Sequence, residues 1–209
     1  MKPAFKERSP LGRSPGRDCV RCERLVRYRR ELALRYPDYH CRPVAAWGPA
    51  SAALLIVGLA PGLHGANRSG IPFTGDASGR LLFSVLTEAG FSVPESGGEH
   101  ATRITNAVKC VPPQNRPVAA EIRACRPYLA AELDTFRGPT ILALGLIAHQ
   151  AVVDTLGLSR KAHPFRHAAE YELPGGQRLL DTYHPSRQNV NTGRLTRDML
   201  LQVVRGVLR

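Results

Sequence analysis

No stretch of these 209 residues reads as a membrane span, because the apolar runs fall far short of the ~20 residues that cross a bilayer. The N-terminus, Met1-Lys2-Pro3-Ala4-Phe5-Lys6-Glu7-Arg8, has no apolar core of the kind a signal peptide carries. A cytoplasmic protein is therefore expected. Acidic residues are also scarce, 17 against 29 Lys and Arg, which leaves a formal charge of +12. The first thirty residues alone hold ten basic groups against three acids. Such an excess rewards binding to a polyanion through phosphate neutralisation, and nucleic acid is the natural partner. Basic charge that serves only solubility is the plainer explanation. Lysine is rare within the excess: 25 of the 29 basic residues are Arg, whose planar fork suits phosphate.

Cysteine is limited to five residues, and without an export signal they do not form a disulfide framework; metal, redox chemistry or burial remain. A hydrophobic share of 43% in a chain of this length closes one substantial core, so a single domain is expected over residues 19–209. Residues 1–18 mix Pro, Gly, Ser and charge without an apolar period and read as a flexible basic arm.

Leu25, Val26, Tyr28, Leu32 and Leu34 predict a first helix from Cys19 to about Tyr36. The apolar run 52–57 predicts a buried strand feeding a loop that extends from Gly58 to Asp76. Five glycines and two prolines in those nineteen residues mark a functional loop. A helix is predicted over Ser78 to Gly90. The same cadence recurs as a strand at Arg103 to Val108 with a helix from Val118 to Phe136, and as a strand at Thr140 to Leu144 with a helix over Leu146 to Leu156. Runs at Tyr171 to Leu173 and Arg178 to Thr182 flank the turn Pro174-Gly175-Gly176, ahead of a loop from His184 to Gly193 and a terminal helix. This alternation predicts a three-layer α/β/α sandwich around a mostly parallel sheet of four strands. Ligands of such sheets bind beyond the carboxyl ends of the strands, where the richest loops fall.

Cys19 and Cys22 form a Cys-x-x-Cys pair, and Cys110 with Cys125 supplies two further thiols. Four thiolates suit zinc or an iron–sulfur cluster equally, while buried, unligated cysteines are the plainer possibility. Cys41 reads as a free buried thiol. The turn Gly58-Leu59-Ala60-Pro61-Gly62 offers backbone N–H groups to a ligand, yet it lacks both the dinucleotide fingerprint and the Lys-Ser/Thr pair of a P-loop. Its neighbours at the strand ends are Phe73, Asp76, Asn106 and His184. An aromatic face stacks on an extruded base, an Asn amide reads its edge, and an acid with a His handles developing charge. Singly, each has a structural use: core for Phe73, a strand-end turn for Asn106, a helix N-cap for Asp76 and loop hydrogen bonding for His184. His64 and Asn67 sit in the same loop, where base contact and loop support are both open to them.

The motifs Gly58-Leu59-Ala60-Pro61-Gly62, Thr105-Asn106-Ala107-Val108-Lys109-Cys110 and His184-Pro185-Ser186 resemble, in order, those of the uracil-DNA glycosylase superfamily. The segments 65–78 and 184–193 resemble its family 5 (type b) branch, and the likeness runs from about Cys19 to the C-terminus. The resemblance implies that Cys19, Cys22, Cys110 and Cys125 bind a structural [4Fe–4S] cluster, which favours iron–sulfur over zinc. It implies that Phe73 stacks on the flipped base beside the Gly58, Ala60 and Gly62 turn, and that Asn106 reads the base edge. His184 would then stabilise the departing base, while Ser186, Arg187, Gln188, Asn189 and Asn191 would grip phosphate and enter the duplex. Well-known branches carry an acid in the first motif, but Leu59 and Ala60 stand at both positions here. Asp76 is the candidate replacement. The implied activity is hydrolysis of the N-glycosidic bond of uracil, hydroxymethyluracil, hypoxanthine and xanthine in double-stranded DNA by a monomeric enzyme. A metal-stapled DNA-binding module without catalysis, and a uracil-only family 4 type glycosylase, are the competing readings.

Overall fold

The computed structural model describes residues 14–93 and 101–208. Thirteen residues of the expected basic arm lie outside this range. Helix α1 (Glu23–Arg35) leads into β1 (Leu54–Gly58), followed by the short α2 (Ala66–Ser69) and α3 (Ala77–Glu88). Then come β2 (Thr102–Asn106), α4 (Ala119–Thr135), β3 (Thr140–Leu144) and α5 (Leu146–Thr155). The chain finishes with β4 (Glu170–Glu172), β5 (Arg178–Thr182), α6 (Arg187–Asn191) and α7 (Arg197–Gly206).

The sheet has five strands in the order β2-β1-β3-β5-β4, not the four expected. The additional strand is β4, which pairs antiparallel with β5 at the edge, while β2-β1, β1-β3 and β3-β5 are parallel. The turn Pro174-Gly175-Gly176 closes this hairpin, with Gly175 and Gly176 both at positive φ. The run at Tyr171 to Leu173 marks its place, one residue later than the strand observed, but is not counted among the four, because three residues with Glu at both ends gain strand character only by pairing with β5.

Alternate residues of the central strands serve opposite faces, as the two-residue period of a strand requires. Leu54, Ile56, Leu142 and Leu144 pack beneath α3 and α7, whereas Leu55, Val57, Ile141 and Ala143 pack beneath α4 and α5. Three layers result, and β1 is buried along its whole length. The first helix closes over the carboxyl end of the sheet, with Leu25 packed on Val108, Cys110 and Cys125. Its start at Glu23, four residues later than expected, leaves Cys19 and Cys22 on the preceding turn.

Two loops hold more order than their composition announces. Within 58–76, α2 ends at Gly70, whose left-handed φ of 77° terminates the turn. Within 184–193, α6 is capped by Ser186, whose Oγ accepts a hydrogen bond from the Asn189 N–H at 3.3 Å.

Candidate active site

The carboxyl ends of β1, β2 and β5 surround a cavity of about 700 Å³ lined by Ala60, Gly62, Phe73, Asp76, Asn106 and His184. Ser186, Arg187, Gln188 and Asn189 stand along one side, and Gln114, Asn115 and Arg116 also line it. Each of the two candidate catalytic residues and four of the five candidate base-binding residues therefore reach one space. The fifth, Gly58, acts from behind it. A β-carbon there would come within 2.5 Å of Asn106 Oδ1 and 2.6 Å of Phe73 Cε2, so only glycine lets both side chains approach the strand end. Asn191 is not among the lining residues; it ends α6.

Phe73 is held in an unusual way. Its backbone lies in the left-handed region at φ 58°, a conformation costly for an aromatic residue and kept only where the surroundings impose it. Its carbonyl fills the space that a β-carbon on Gly79 would need. The ring is buried, with its centroid 6.1 Å from that of His184 and the planes tilted by 32°. Phe73 is thus both part of the core and part of the cavity wall.

Asp76 likewise fills both of its possible uses. Its Oδ1 accepts the Gly79 N–H at 2.8 Å and caps α3. Its Oδ2 turns toward the loop, 3.2 Å from where a Gly62 β-carbon would stand, and Gly65 must lack a side chain for the same reason. The carboxylate thus lies over the Gly-rich turn and is fixed by a hydrogen bond that leaves one oxygen for other partners.

His184 follows β5, and Gly145 at the end of β3 clears room for it, since a β-carbon there would lie 3.2 Å from His184 Cβ. Desolvation by the surrounding protein pushes the imidazole down to about 4, against an upward pull from the Asp76 carboxylate. The ring is therefore neutral at physiological pH, able to donate one hydrogen bond without carrying charge. Its carbonyl accepts from the Ser186 N–H and from Asn189 Nδ2, each at 2.8 Å, which locks the 184–189 turn.

Asn106 ends β2, and its buried Oδ1 has no hydrogen-bond partner among the described residues. An orphaned acceptor in a cavity wall is costly unless a ligand satisfies it. Immediately behind, Lys109 is fully buried and donates to Glu132 Oε2 and Thr105 Oγ1, both at 2.6 Å, while Thr105 donates to the same carboxylate at 2.8 Å. This buried ion pair anchors the strand end that carries Asn106. Sequence reading missed it, because only a distant helix, α4, brings Glu132 there. Asn67 is fully buried and its amide nitrogen meets Cys41 Sγ at 3.6 Å, while its Oδ1, like that of Asn106, has no partner among the described residues; unlike Asn106, it does not line the cavity. His64 stands on the cavity wall, its Nδ1 3.0 Å from Tyr39 Oη.

The four candidate ligand cysteines converge from the turn before α1, the loop after β2, and α4. Cys22 hydrogen-bonds to Cys125, which draws the Cys125 thiol down to about 7 and raises that of Cys22. Burial pushes Cys110 up to about 12, and it interacts electrostatically with both Cys125 and Cys19. Arg29, Arg21 and Lys109 lie within electrostatic reach of these sulfurs. Among the described residues no three His, Cys, Asp or Glu side chains close around a single metal ion. Cys22, Cys110 and Cys125 pack together around Leu25, and Cys19 lies within electrostatic reach of Cys110. Cys41 stands apart as a buried free thiol.

Residues 45–207 match the family model described as the Uracil DNA glycosylase superfamily. The chain is 48% identical over 198 residues to the Type-5 uracil-DNA glycosylase of Thermus thermophilus, covering 89% of this chain and 90% of that protein. It is 44% identical to the Type-5 uracil-DNA glycosylase of Pyrobaculum aerophilum, covering 90% and 87%. A Type-4 uracil-DNA glycosylase of the same organism is 34% identical over 154 residues, 71% of this chain and 74% of that protein.

Proposed function

Since the chain belongs to the uracil DNA glycosylase superfamily, we propose that it is a monofunctional DNA glycosylase of the type 5 branch. It extrudes uracil and other deaminated bases from double-stranded DNA and hydrolyses the N-glycosidic bond, leaving an abasic site. The observation that carries this reading is the meeting of Phe73, Asp76, Asn106 and His184 around one cavity at the carboxyl ends of the strands.

The extruded base stacks on Phe73, and Asn106 Oδ1 accepts from a base N–H, which satisfies the acceptor left unpaired in the wall. Neutral His184 donates to a carbonyl oxygen of the departing base and gains strength as that oxygen becomes anionic. The bond between C1′ and the base nitrogen breaks and the electron pair leaves with the base. Water then adds its oxygen to C1′ and releases a proton. Asp76 stabilises the cationic sugar and orients that water, with its N-cap hydrogen bond fixing the carboxylate. Ser186, Arg187, Gln188, Asn189 and Asn191 hold backbone phosphates and enter the space left by the base.

Leu59 and Ala60 leave the first motif without a polar side chain that demands one pattern on the base. A site that pairs fewer edges rejects fewer analogues. Uracil, hydroxymethyluracil, hypoxanthine and xanthine are the substrates proposed.

Cys19, Cys22, Cys110 and Cys125 would hold a [4Fe–4S] cluster, whose contribution is structural: it would cross-link the turn before α1 to the β2 exit and α4. The packing of Cys22, Cys110 and Cys125 together, with Cys19 near Cys110 and with Arg29, Arg21 and Lys109 around the sulfurs, supports this choice.

Single-turnover cleavage of end-labelled duplexes carrying uracil or hypoxanthine, with alkali to expose abasic sites, tests the function. Cleavage of both is expected. Cleavage of uracil alone overturns the broad range, and cleavage of neither overturns the enzymatic reading in favour of a DNA-binding module.

A further inference from the structure

A second cavity, of about 470 Å³, opens beside α1 and is lined by Arg17, Arg29, Arg30, Arg42 and Tyr39, with Asp18 as its acid. Asp18 pairs with Arg42 at 3.2 Å, and among the described residues Arg17, Arg29 and Arg30 have no carboxylate partner. Arg29 is 6% exposed. Its terminal nitrogens donate to the carbonyls of Cys19 and Arg17, but its Nε finds no acceptor among the described residues. A buried, incompletely satisfied guanidinium beneath two exposed ones makes a pocket that favours an anion.

This pocket is joined to the catalytic cavity. Tyr39 lines the arginine pocket, and its hydroxyl meets Nδ1 of His64, which lines the catalytic cavity. Tyr36 stacks on Tyr39 with centroids 4.7 Å apart, and the guanidinium of Arg68 lies over the Tyr39 ring at 5.5 Å. Tyr39 and His64 thus form a cation-flanked sill between the two spaces.

We infer that the arginine pocket is a phosphate subsite, which takes a backbone phosphate of the strand whose extruded nucleotide enters the catalytic cavity across the Tyr39–His64 sill. The inference rests on the glycosylase reading for the identity of the strand. The pocket supplies affinity and register, not chemistry, because none of its residues reaches the reacting bond.

The test compares the wild type, the double variant Arg30→Ala/Arg42→Ala, and a control, Arg197→Ala/Arg205→Ala, that removes equal charge from α7. Each is checked for an unchanged melting temperature, and binding to an uncleavable duplex is measured over a salt series. Loss of one phosphate contact makes the slope of log Kd against log salt shallower by about 0.9. That change is expected in the pocket variant and not in the control, together with a half-saturating duplex concentration raised roughly tenfold. Its cleavage rate at saturating duplex stays at the wild-type value. Inorganic phosphate competes with duplex on the wild type and less well on the pocket variant. Equal slopes in the wild type and pocket variant overturn the inference, as does an equal change in the control. A wild type that cleaves no deaminated base but keeps the slope difference overturns the glycosylase reading and leaves the subsite standing.

Discussion

Asn106 Oδ1 lies 2.5 Å from the point at which a β-carbon on Gly58 would stand, so the end of β1 is bare because the end of β2 must reach past it. The register places these residues side by side, Gly58 opposite Asn106, in the parallel pairing of β1 with β2. Gly58→Ala is expected to displace Asn106 and Phe73 together. A misplacement of about 1 Å costs on the order of a hundredfold in rate. Single-turnover kinetics with a thermal melt checks this; wild-type cleavage in the folded variant would show that Asn106 does not position the base.

Asp76 divides its carboxylate between a helix cap and the cavity, and two substitutions separate these uses. Asn caps a helix about as well as Asp, whereas Ala loses about 1 kcal/mol. Asp76→Asn is therefore expected to keep its stability and lose roughly a hundredfold or more in single-turnover rate, as removal of an electrostatic stabiliser does. Asp76→Ala should lose both. A normally folded Asp76→Ala protein that cleaves at the wild-type rate would remove Asp76 from the mechanism.

The depressed pKa of His184, about 4 in the folded chain, sets a pH signature. Unfolded His titrates near 6.5, so below that pH the unfolded state binds more protons than the native one and stability falls, progressively, down to about pH 4. Above about 6.5 this contribution is complete. The single-turnover rate should accordingly show no His inflection between about pH 5 and 8. Nitrogen chemical shifts of the imidazole at pH 6 should report a neutral ring; an imidazolium at that pH would refute the assignment.

Lys109 and Glu132 are buried together, and removing one charge strands the other. Lys109→Met is expected to lower the unfolding free energy by about 3–5 kcal/mol. The double variant Lys109→Met/Glu132→Leu should lose much less, because no charge is left unpaired. Urea denaturation of the two variants decides this: equal losses would mean that packing, not the uncompensated carboxylate, sets the cost.

The cysteine locus yields a compositional prediction. The protein purified without oxygen should carry iron and acid-labile sulfide in equal amounts, roughly four of each per chain, with broad visible absorption. Cys125→Ser should lose both the iron and the colour and melt lower. Zinc in place of iron in the anaerobic protein would show that the four thiols serve a single ion.

Much of this architecture was legible in the chain. Strands β3 and β5 coincide with their expected bounds, Thr140–Leu144 and Arg178–Thr182: β3 because a strand buried on both faces reads as a near-continuous apolar run, β5 because Leu179 and Leu180 follow closely on the turn Pro174-Gly175-Gly176. The cavity residues were legible because strand ends and Gly-rich loops are recognisable one by one. Helix α2 and helix α6 were not: four and five residues are too few to show a period, and they form on caps and on contacts with the rest of the fold.

By itself the sequence determined the layer order, the Cys-x-x-Cys pair, the basic charge and the absence of an acid at Leu59 and Ala60, because each is local or additive along the chain. Only the tertiary structure decided the neutrality of His184, the left-handed backbone of Phe73, the Lys109–Glu132 pair and the arginine pocket behind Tyr39. Those depend on desolvation and on contacts between residues far apart in sequence, and neither exists until the layers have packed.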